Sequence, residues 1–172
     1  MTARASALPV AQAEATGLEF REAMRQLAGG VSVVTTGKGR LRTGLTATSV
    51  TSLSAEPPSL LVCINKTSSA LLTIRESQSF AVNILTRDHQ DIADRFAGRA
   101  GTFGAARYEG ADWEQLATGT PVLGGALANL DCRLENISEW HSHAIVIGRV
   151  VSIRTSAASS PLVYWRGAYA GL

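Results

Sequence analysis

Apolar residues along this chain recur first with a helical period and then with the periods of strands. Phe20, Met24 and Leu27 lie at i, i+4 and i+7, so residues 18–29 predict one short amphipathic helix that Thr16 caps. The β-branched runs that follow predict three strands, separated by a Gly-Lys-Gly turn and a Pro-Pro corner. Consecutive strands joined by tight turns predict an antiparallel meander. These strands cover residues 31–36, 41–54 and 59–65.

Short helices and further strands follow without regular alternation. Ser68 or Ser69 caps a predicted helix that runs to residue 76, and residues 88–97 predict a second helix with Ile92 and Phe96 on one face. Six or seven strands with so few helices lack the β–α alternation of a doubly wound parallel sheet. The predicted fold is therefore mainly β, a closed or nearly closed antiparallel barrel. Its other strands cover residues 80–85, 126–137, 143–155 and 162–166, and the two long ones form a hairpin.

The composition fits one globular domain. The chain has 172 residues, of which 45% are hydrophobic, which suits one sizeable core and is too short for two typical domains. Residues 1–16 are Ala-rich and lack periodicity, so we predict a disordered or loosely attached tail over residues 1–17 and a domain over 18–172. No apolar run reaches the roughly eighteen residues of a membrane helix, and the first seventeen residues lack the apolar core of a signal peptide. We expect a cytoplasmic protein.

Charge, thiol and imidazole content argue against several functions. The formal net charge is +2 and the Lys and Arg residues are scattered, which predicts neither nucleic-acid binding nor a basic membrane-binding face. Cys63 and Cys132 lie in apolar stretches without a C-x-x-C pair, so both are predicted to be buried thiols. The three histidines, at 89, 141 and 143, form no H-x-x-x-H motif. We therefore predict no metal site.

Seven hydroxyl side chains and no charge occupy the twelve residues that begin at Thr43. One interpretation is that these hydroxyls cover the wet face of a strand, where Thr is common. The other is that backbone amides and hydroxyls of residues 46–50 meet the polar edge of a heterocycle, because small side chains let the backbone approach closely. Both interpretations stay open on composition alone.

The segment N-K-T-S-S at 65–69 also has two interpretations. It is an ordinary turn and helix cap, or it is a phosphate site in which Lys66 stands beside a helix N-terminus that carries Ser68 and Ser69. A segment for a polar ring edge and a segment for a phosphate together describe a flavin mononucleotide pocket.

Five spaced motifs make the chain resemble the short NAD(P)H-dependent flavin reductases that serve two-component monooxygenases. The resemblance covers roughly residues 19–172, in order and without a large gap. Family members commonly read Gly-Asp-His where this chain reads His141, Ser142 and His143, and His141 is expected to be an exposed bystander. The motifs are L-A-G-G-V-S-V-V-T-T, G-L-T-A-T-S-V-T-S-L-S-A-E-P-P-S-L-L-V-C-I-N-K-T-S, F-A-V-N-I-L with D-I-A-D-R-F-A-G, H-A-I-V-I-G-R-V and P-L-V-Y-W-R-G-A-Y.

The resemblance implies an antiparallel split barrel of the FMN-binding type with a few short flanking helices, usually a homodimer. It places residues 46–50 along the isoalloxazine and ribityl chain and the 65–69 segment at the phosphate. His143 and the turn at 166–169 would lie on the nicotinamide side, with His143 as the candidate catalytic residue. The candidate cofactor-binding residues are Thr46, Ala47, Thr48, Ser49, Val50, Asn65, Lys66, Ser68, Ser69, Arg99, Phe103, Arg166, Gly167 and Tyr169.

The implied function is reduction of FAD or FMN by NADH, with NADPH as the other donor, and supply of diffusible reduced flavin to a separate monooxygenase. FAD and FMN share the ring and the first phosphate, so the sequence does not choose between them; we lean slightly to FAD. Two alternatives are a non-enzymatic flavin- or haem-binding module on the same barrel, and an oxidase that uses bound flavin on a small organic substrate. The Y-W-R-G-A-Y turn with His143 favours the reductase, since a passive binder needs no nicotinamide-facing turn.

Overall fold

The computed structural model describes residues 14–99, 101–156 and 160–171. Most of the predicted tail, residues 1–13, lies outside the described residues, and the division of the chain at residue 17 stays a prediction. Helix α1 spans Gly17–Met24 and begins at the predicted cap. The Thr16 hydroxyl accepts a hydrogen bond from the Glu19 amide at 3.2 Å, and the Glu19 carboxylate accepts one from the Thr16 amide at 2.7 Å.

Strands account for most of the regular structure of the described residues. Helix α2 spans Ser69–Ser77 and α3 spans Gln90–Phe96, and short 3₁₀ turns occur at Gly39–Leu41, Arg87–His89 and Gly104–Tyr108. The strands are β1 (Gly29–Gly30), β2 (Ser32–Thr36), β3 (Thr43–Ala47), β4 (Thr51–Ala55), β5 (Pro58–Asn65), β6 (Ser79–Ile84), β7 (Trp113–Gln115), β8 (Pro121–Leu123), β9 (Ala128–Trp140), β10 (His143–Thr155), β11 (Leu162–Trp165) and β12 (Ala168–Gly171).

Seven antiparallel strands form the main sheet, in the order β3-β2-β6-β9-β10-β5-β4. Strands β3 and β4 follow one another in the chain but lie at opposite ends of this sheet, and residues 48–50 connect them directly. A three-residue link can join the two edges only when the sheet curls until they meet. The result is the predicted antiparallel barrel, split along a seam between β3 and β4.

The predicted single strand over residues 41–54 is wrong, whereas both antiparallel pairings of the predicted meander are present, β2 with β3 and β4 with β5. The 3₁₀ turn at Gly39–Leu41 delays the first strand to Thr43, and residues 48–50 leave the ladder, so two strands replace one. Strand β5 pairs with β4 and β10 and not with β3. The physical reason is that the chain crosses the seam here, so the two halves of the predicted strand pair at opposite edges of the sheet.

The late hairpin is confirmed, and β9 extends to Trp140, three residues further than predicted. The ladder shifts register between Ile147 and Gly148. A Cβ at Gly148 would lie 2.5 Å from Cζ of Phe80, so the packing of this β6 side chain against β10 requires a glycine.

The predicted last strand is one arm of a second hairpin, β11–β12, which pairs with β1. Arg166 and Gly167 form its two-residue turn with φ of +50° and +89°. Two positive φ values are typical of the tight hairpin turns in which glycine is favoured. The hairpin therefore presents Arg166 at its tip.

Two hydrophobic clusters form the core of the described residues. One lies within the curled sheet and includes Val34, Ile64, Phe80 and Val146; the other includes Ile92, Phe96, Tyr108 and Leu162 and lies under α3. The predicted apolar face formed by Ile92 and Phe96 is confirmed.

The two thiols differ in burial. Cys132 is fully buried, and burial raises the pKa of its thiol to about 12. The prediction of burial is wrong for Cys63, which is only half-buried, because it lies on β5 beside the seam where neighbouring residues leave the sheet.

Candidate functional site

Two hydroxyl groups hold the seam of the barrel. The Ser49 hydroxyl donates to the Cys63 carbonyl oxygen at 3.0 Å and accepts from the Cys63 amide at 3.2 Å, which ties the crossing to β5. The Thr46 hydroxyl donates to the Ala93 carbonyl oxygen at 2.6 Å and joins β3 to α3. Thr51 and Ser52, in contrast, are exposed on β4. The interpretation that the hydroxyls cover a solvent-exposed strand face thus holds for β4. The hydroxyls of Thr46 and Ser49, in contrast, connect separate elements.

A cavity of about 400 Å³ opens at this seam, a volume within the range of small-molecule sites. Residues from β3, β5, β10 and the helices α2 and α3 meet there. Its lining includes seven of the residues predicted to belong to the site, which are Thr46, Ala47, Thr48, Ser49, Asn65, Ser68 and His143, together with Leu45, Cys63, Phe96, Ala97 and Arg107.

The start of α2 forms one side of the cavity. Ser68 is the N-cap and accepts from the Ala70 amide at 3.3 Å. The Asn65 side-chain oxygen accepts from the amide and the hydroxyl of Thr67, both at 2.9 Å, and so fixes the turn before the helix. Ser69 does not line the cavity; its hydroxyl lies 3.3 Å from that of Thr43.

Lys66 and Val50, two further residues predicted for the site, do not line this cavity. The Lys66 ammonium lies 3.3 Å from a carboxylate oxygen of Glu139, and its side chain is absent from the cavity lining. Val50 is half-buried and packs against the core cluster inside the sheet. Of the residues predicted for the phosphate end, Asn65 and Ser68 are therefore the two that line the cavity.

His143 opens β10 directly opposite Asn65 in the ladder, and its ring lines the cavity. The Ser142 hydroxyl lies 2.9 Å from Nδ1 of His143. Ser142 therefore holds the ring at the position where the resembled family commonly carries Asp. His141 is exposed, as predicted.

Two further cavities adjoin the first. One of about 690 Å³ lies between α1 and the β11–β12 turn, and Arg166 and Gly167 line it. The other, of about 200 Å³, is lined by Arg99, Tyr164 and Tyr169. Thr48 lines all three cavities, so the seam is the point where they meet.

Arg99 is held over the aromatic wall of the smallest cavity. Its guanidinium lies 2.8 Å from the Asp94 carboxylate, 3.3 Å from the Tyr164 hydroxyl and 5.4 Å from the centre of the Tyr169 ring. The hydrogen bonds that Arg99 donates to the Tyr164 hydroxyl and then to the Asp94 carboxylate raise the pKa of Arg99 above its ordinary value. Phe103 is 73% exposed and lines none of the three cavities.

The sequence analysis missed Arg107, which lines the 400 Å³ cavity. Its Nε donates to the Thr102 carbonyl oxygen at 3.1 Å, and its Nη1 donates to the Gly44 carbonyl oxygen. Burial lowers the pKa of the Arg107 guanidinium. No short motif surrounds this residue, so only the folded chain brings it to β3.

The described residues contain no group of three or more His, Cys, Asp or Glu side chains placed to hold a metal ion. Within the same ranges, no helix combines the length and the apolar character needed to cross a membrane.

Fold and site together define an antiparallel split barrel with a small-molecule groove at its seam. The model of the flavin reductase-like domain family matches residues 24–172. The chain belongs to this family, as its five motifs predicted.

Named relatives agree with this assignment. FMN reductase (NADH) RutF 2 from Rhizobium rhizogenes is 43% identical over 152 residues, which cover 88% of this chain and 86% of that protein. Reductase subunit HsaB of a flavin-dependent monooxygenase from Rhodococcus jostii is 35% identical over 153 residues, or 89% of this chain and 76% of that protein. The solved structure of Streptomyces globisporus NADH:FAD oxidoreductase SgcE6, in complex with NAD and FAD fragments, has a TM-score of 0.80 at 28% identity and covers 89% of this chain and 90% of that chain.

Proposed function

We propose that the protein is an NAD(P)H-dependent flavin reductase that reduces FMN or FAD with NADH and releases the reduced flavin to a separate monooxygenase. The observation that carries this proposal is the junction of three cavities at Thr48, in a chain of the flavin reductase-like family. Two ligands that enter from different cavities would meet at this residue. The names of the FMN reductase and the monooxygenase reductase subunit among its relatives support the same reaction.

The residues of the 400 Å³ cavity fit a flavin. Thr48 offers its hydroxyl to a flat polar ring, and the small side chains of Thr46 and Ser49, whose hydroxyls bond to Ala93 and Cys63, leave the backbone open to it. Asn65, Ser68 and Arg107 offer donors at the other side. A bound flavin would supply the hydride acceptor, with reduced nicotinamide as the donor. The protein would contribute by holding the two rings in contact and excluding water between them.

His143 would act on the nicotinamide side of this site, together with the turn of Arg166 and Gly167. The imidazole lines the flavin cavity, whereas the turn lines the adjoining 690 Å³ cavity. The Ser142 hydroxyl, 2.9 Å from Nδ1, would keep the ring in place. In this proposal His143 positions the donor ring and takes no proton from it.

Release of reduced flavin requires reversible binding. The flavin cavity is lined mainly by small hydroxyl, amide and apolar side chains, with Arg107 as its one arginine. We therefore expect purified protein to be pale and to lose flavin on dialysis. Flavin that stays bound through dialysis, with turnover that needs no added flavin, would instead indicate an oxidase with a resident cofactor.

A nicotinamide oxidation assay tests the activity. Protein is mixed with NADH or NADPH and with FMN, FAD or no flavin, and loss of the reduced-nicotinamide absorbance is followed. The proposal predicts a rate that rises with added flavin and saturates. No oxidation with any of these combinations would refute it.

We further propose a homodimer in the cytoplasm. Helix α1 has no buried residue in one copy of the chain, and its apolar side chains remain open to solvent: Leu18 is 65% exposed, Phe20 62% and Met24 46%. A second copy that covers this face would bury them, and a twofold dimer is the commonest arrangement. Light scattering at micromolar concentration tests this, and a fully active monomer would contradict it.

A further inference from the structure

Two cations lie near the end of the flavin cavity where α2 begins, and within the described residues a carboxylate pairs with only one of them. The Lys66 ammonium lies 3.3 Å from the Glu139 carboxylate, which also accepts a hydrogen bond from Arg75 at 2.5 Å. Hydrogen bonds from Arg75 and then from Lys66 lower the pKa of Glu139, so this carboxylate is held in its charged form. Lys66 is therefore part of an ion-pair group on the outer surface of the barrel.

For Arg107, no carboxylate among the described residues lies within ion-pair distance of the guanidinium. Its hydrogen bonds go to the carbonyl oxygens of Thr102 and Gly44, which fix its position without cancelling its charge. Its guanidinium also lies 5.9 Å from the centre of the Phe103 ring, which likewise leaves the charge in place. A half-buried positive charge that lines a ligand cavity without a carboxylate partner favours an anionic ligand.

The β3 residue that Arg107 contacts shows which end of the cavity this side chain lies at. Arg107 bonds to Gly44, and the preceding residue, Thr43, contacts the hydroxyl of Ser69 in the first turn of α2. Arg107 and the start of α2 thus flank the same end of β3. The other end of this strand leads to Thr48, where the cavities for the two rings meet.

We propose that Arg107 neutralises the phosphate next to the ribityl chain and so makes the site selective for phosphorylated flavins over riboflavin. Lys66 stays with Glu139 and contributes little to this selectivity. The inference rests on the proposed flavin-binding function and replaces Lys66, the residue that the sequence indicated, by Arg107.

Equilibrium binding of oxidised FMN and of riboflavin, followed by flavin fluorescence, tests the inference without any turnover. The two ligands differ only in the phosphate. Arg107→Gln should raise the Kd for FMN by about tenfold or more, as expected for the loss of a hydrogen bond to a charged group, and should leave the Kd for riboflavin within about twofold. Lys66→Gln should leave both values within about twofold of the wild type.

Arg95→Gln is the matched control. Arg95 donates to the Glu109 carbonyl oxygen, so it too anchors the segment that carries Arg107, but it does not line the cavity. This variant should bind FMN and riboflavin with the wild-type ratio of Kd values. The wild-type preference for FMN should also weaken with added salt, and that dependence should be lost in Arg107→Gln.

Several outcomes would overturn the inference. If Arg107→Gln raises the Kd values for FMN and riboflavin equally, Arg107 is a structural residue. If Lys66→Gln raises the Kd for FMN alone, Lys66 and not Arg107 contacts the phosphate. If Arg107→Gln does not fold, Arg107→Lys decides: selective weakening of FMN supports the role, and equal weakening contradicts it. A wild-type protein that binds neither ligand refutes the flavin function itself. If the wild type binds both ligands and Arg107→Gln leaves both Kd values unchanged, this inference alone is refuted.

Discussion

Replacement of Asn83 by Leu should weaken the whole barrel, because this side chain joins β6 to the three strands β2, β8 and β9. Asn83 is fully buried on β6. Its amide nitrogen donates to the Val33 carbonyl oxygen at 2.9 Å and to the Thr35 hydroxyl at 3.2 Å. Its oxygen accepts from the Leu123 amide and from the Asn129 side chain, both at 2.8 Å. Leucine has similar size but can make none of these four bonds.

The expected cost follows from the groups left behind. The Leu123 amide loses its partner in a site that water does not reach. The Val33 carbonyl oxygen keeps a main-chain partner, because Val33 lies opposite Asn83 in the ladder between β2 and β6. A buried polar group without a partner costs about 1–3 kcal/mol, so Asn83→Leu should lower the free energy of unfolding by about 1–3 kcal/mol. Since typical domains are stable by only about 5–15 kcal/mol, the loss should be easy to measure.

Urea unfolding, followed by circular dichroism, measures this loss as a lower midpoint at an unchanged slope. Asn136→Leu is the matched control, because Asn136 is exposed on β9 and the same substitution there removes no buried bond. The control midpoint should stay close to that of the wild type. Equal midpoints for the two variants would refute the reasoning that the buried network stabilises the barrel.

Three further predictions concern the site, its first strand and an acid-sensitive histidine. His143→Asn should lower kcat/KM for NADH by about tenfold or more with flavin affinity unchanged, whereas His141→Asn should not; equal effects would remove His143 from the nicotinamide side. Gly44→Ala should destabilise the fold by about 1–3 kcal/mol, since a Cβ would lie 2.4 Å from the Val34 carbonyl oxygen; a wild-type urea midpoint would contradict this. Burial lowers the pKa of His89 below its ordinary 6.5, so its contribution to stability is present above pH 6.5 and is lost at lower pH. His89→Asn should therefore flatten the loss of stability on acidification, and parallel curves for wild type and variant would exclude His89 as a cause.

The strands with the clearest β-branched runs could be read from the sequence, and the path between them could not. The sequence predicted β10 with the correct bounds because His143–Thr155 is long, apolar and bounded by turn residues. It did not predict that β3 and β4 lie at opposite ends of one sheet, because strand pairing depends on the curl of the whole sheet. The seam, and with it the position of the cavity, appears only when the sheet closes.

The candidate site shows the same division between local and long-range information. Thr46–Ser49 and Asn65 with Ser68 come from two continuous segments of the chain, and these segments do meet in one cavity. The charges beside the cavity depend on distant partners. Lys66 contacts Glu139 on β9, and Arg107 reaches β3 from the segment after α3, so neither contact has a local pattern that would reveal it.

Anaerobic titration of flavin reduction tests the central claim most directly. A small amount of protein is mixed with NADH and a large molar excess of FMN or FAD, and the nicotinamide and flavin absorbance bands are followed together. A reductase that releases its product should bleach flavin far beyond the amount of protein, with one NADH consumed for each flavin. Bleaching that stops at about one flavin per protein, or that does not occur, would show that the chain does not release reduced flavin.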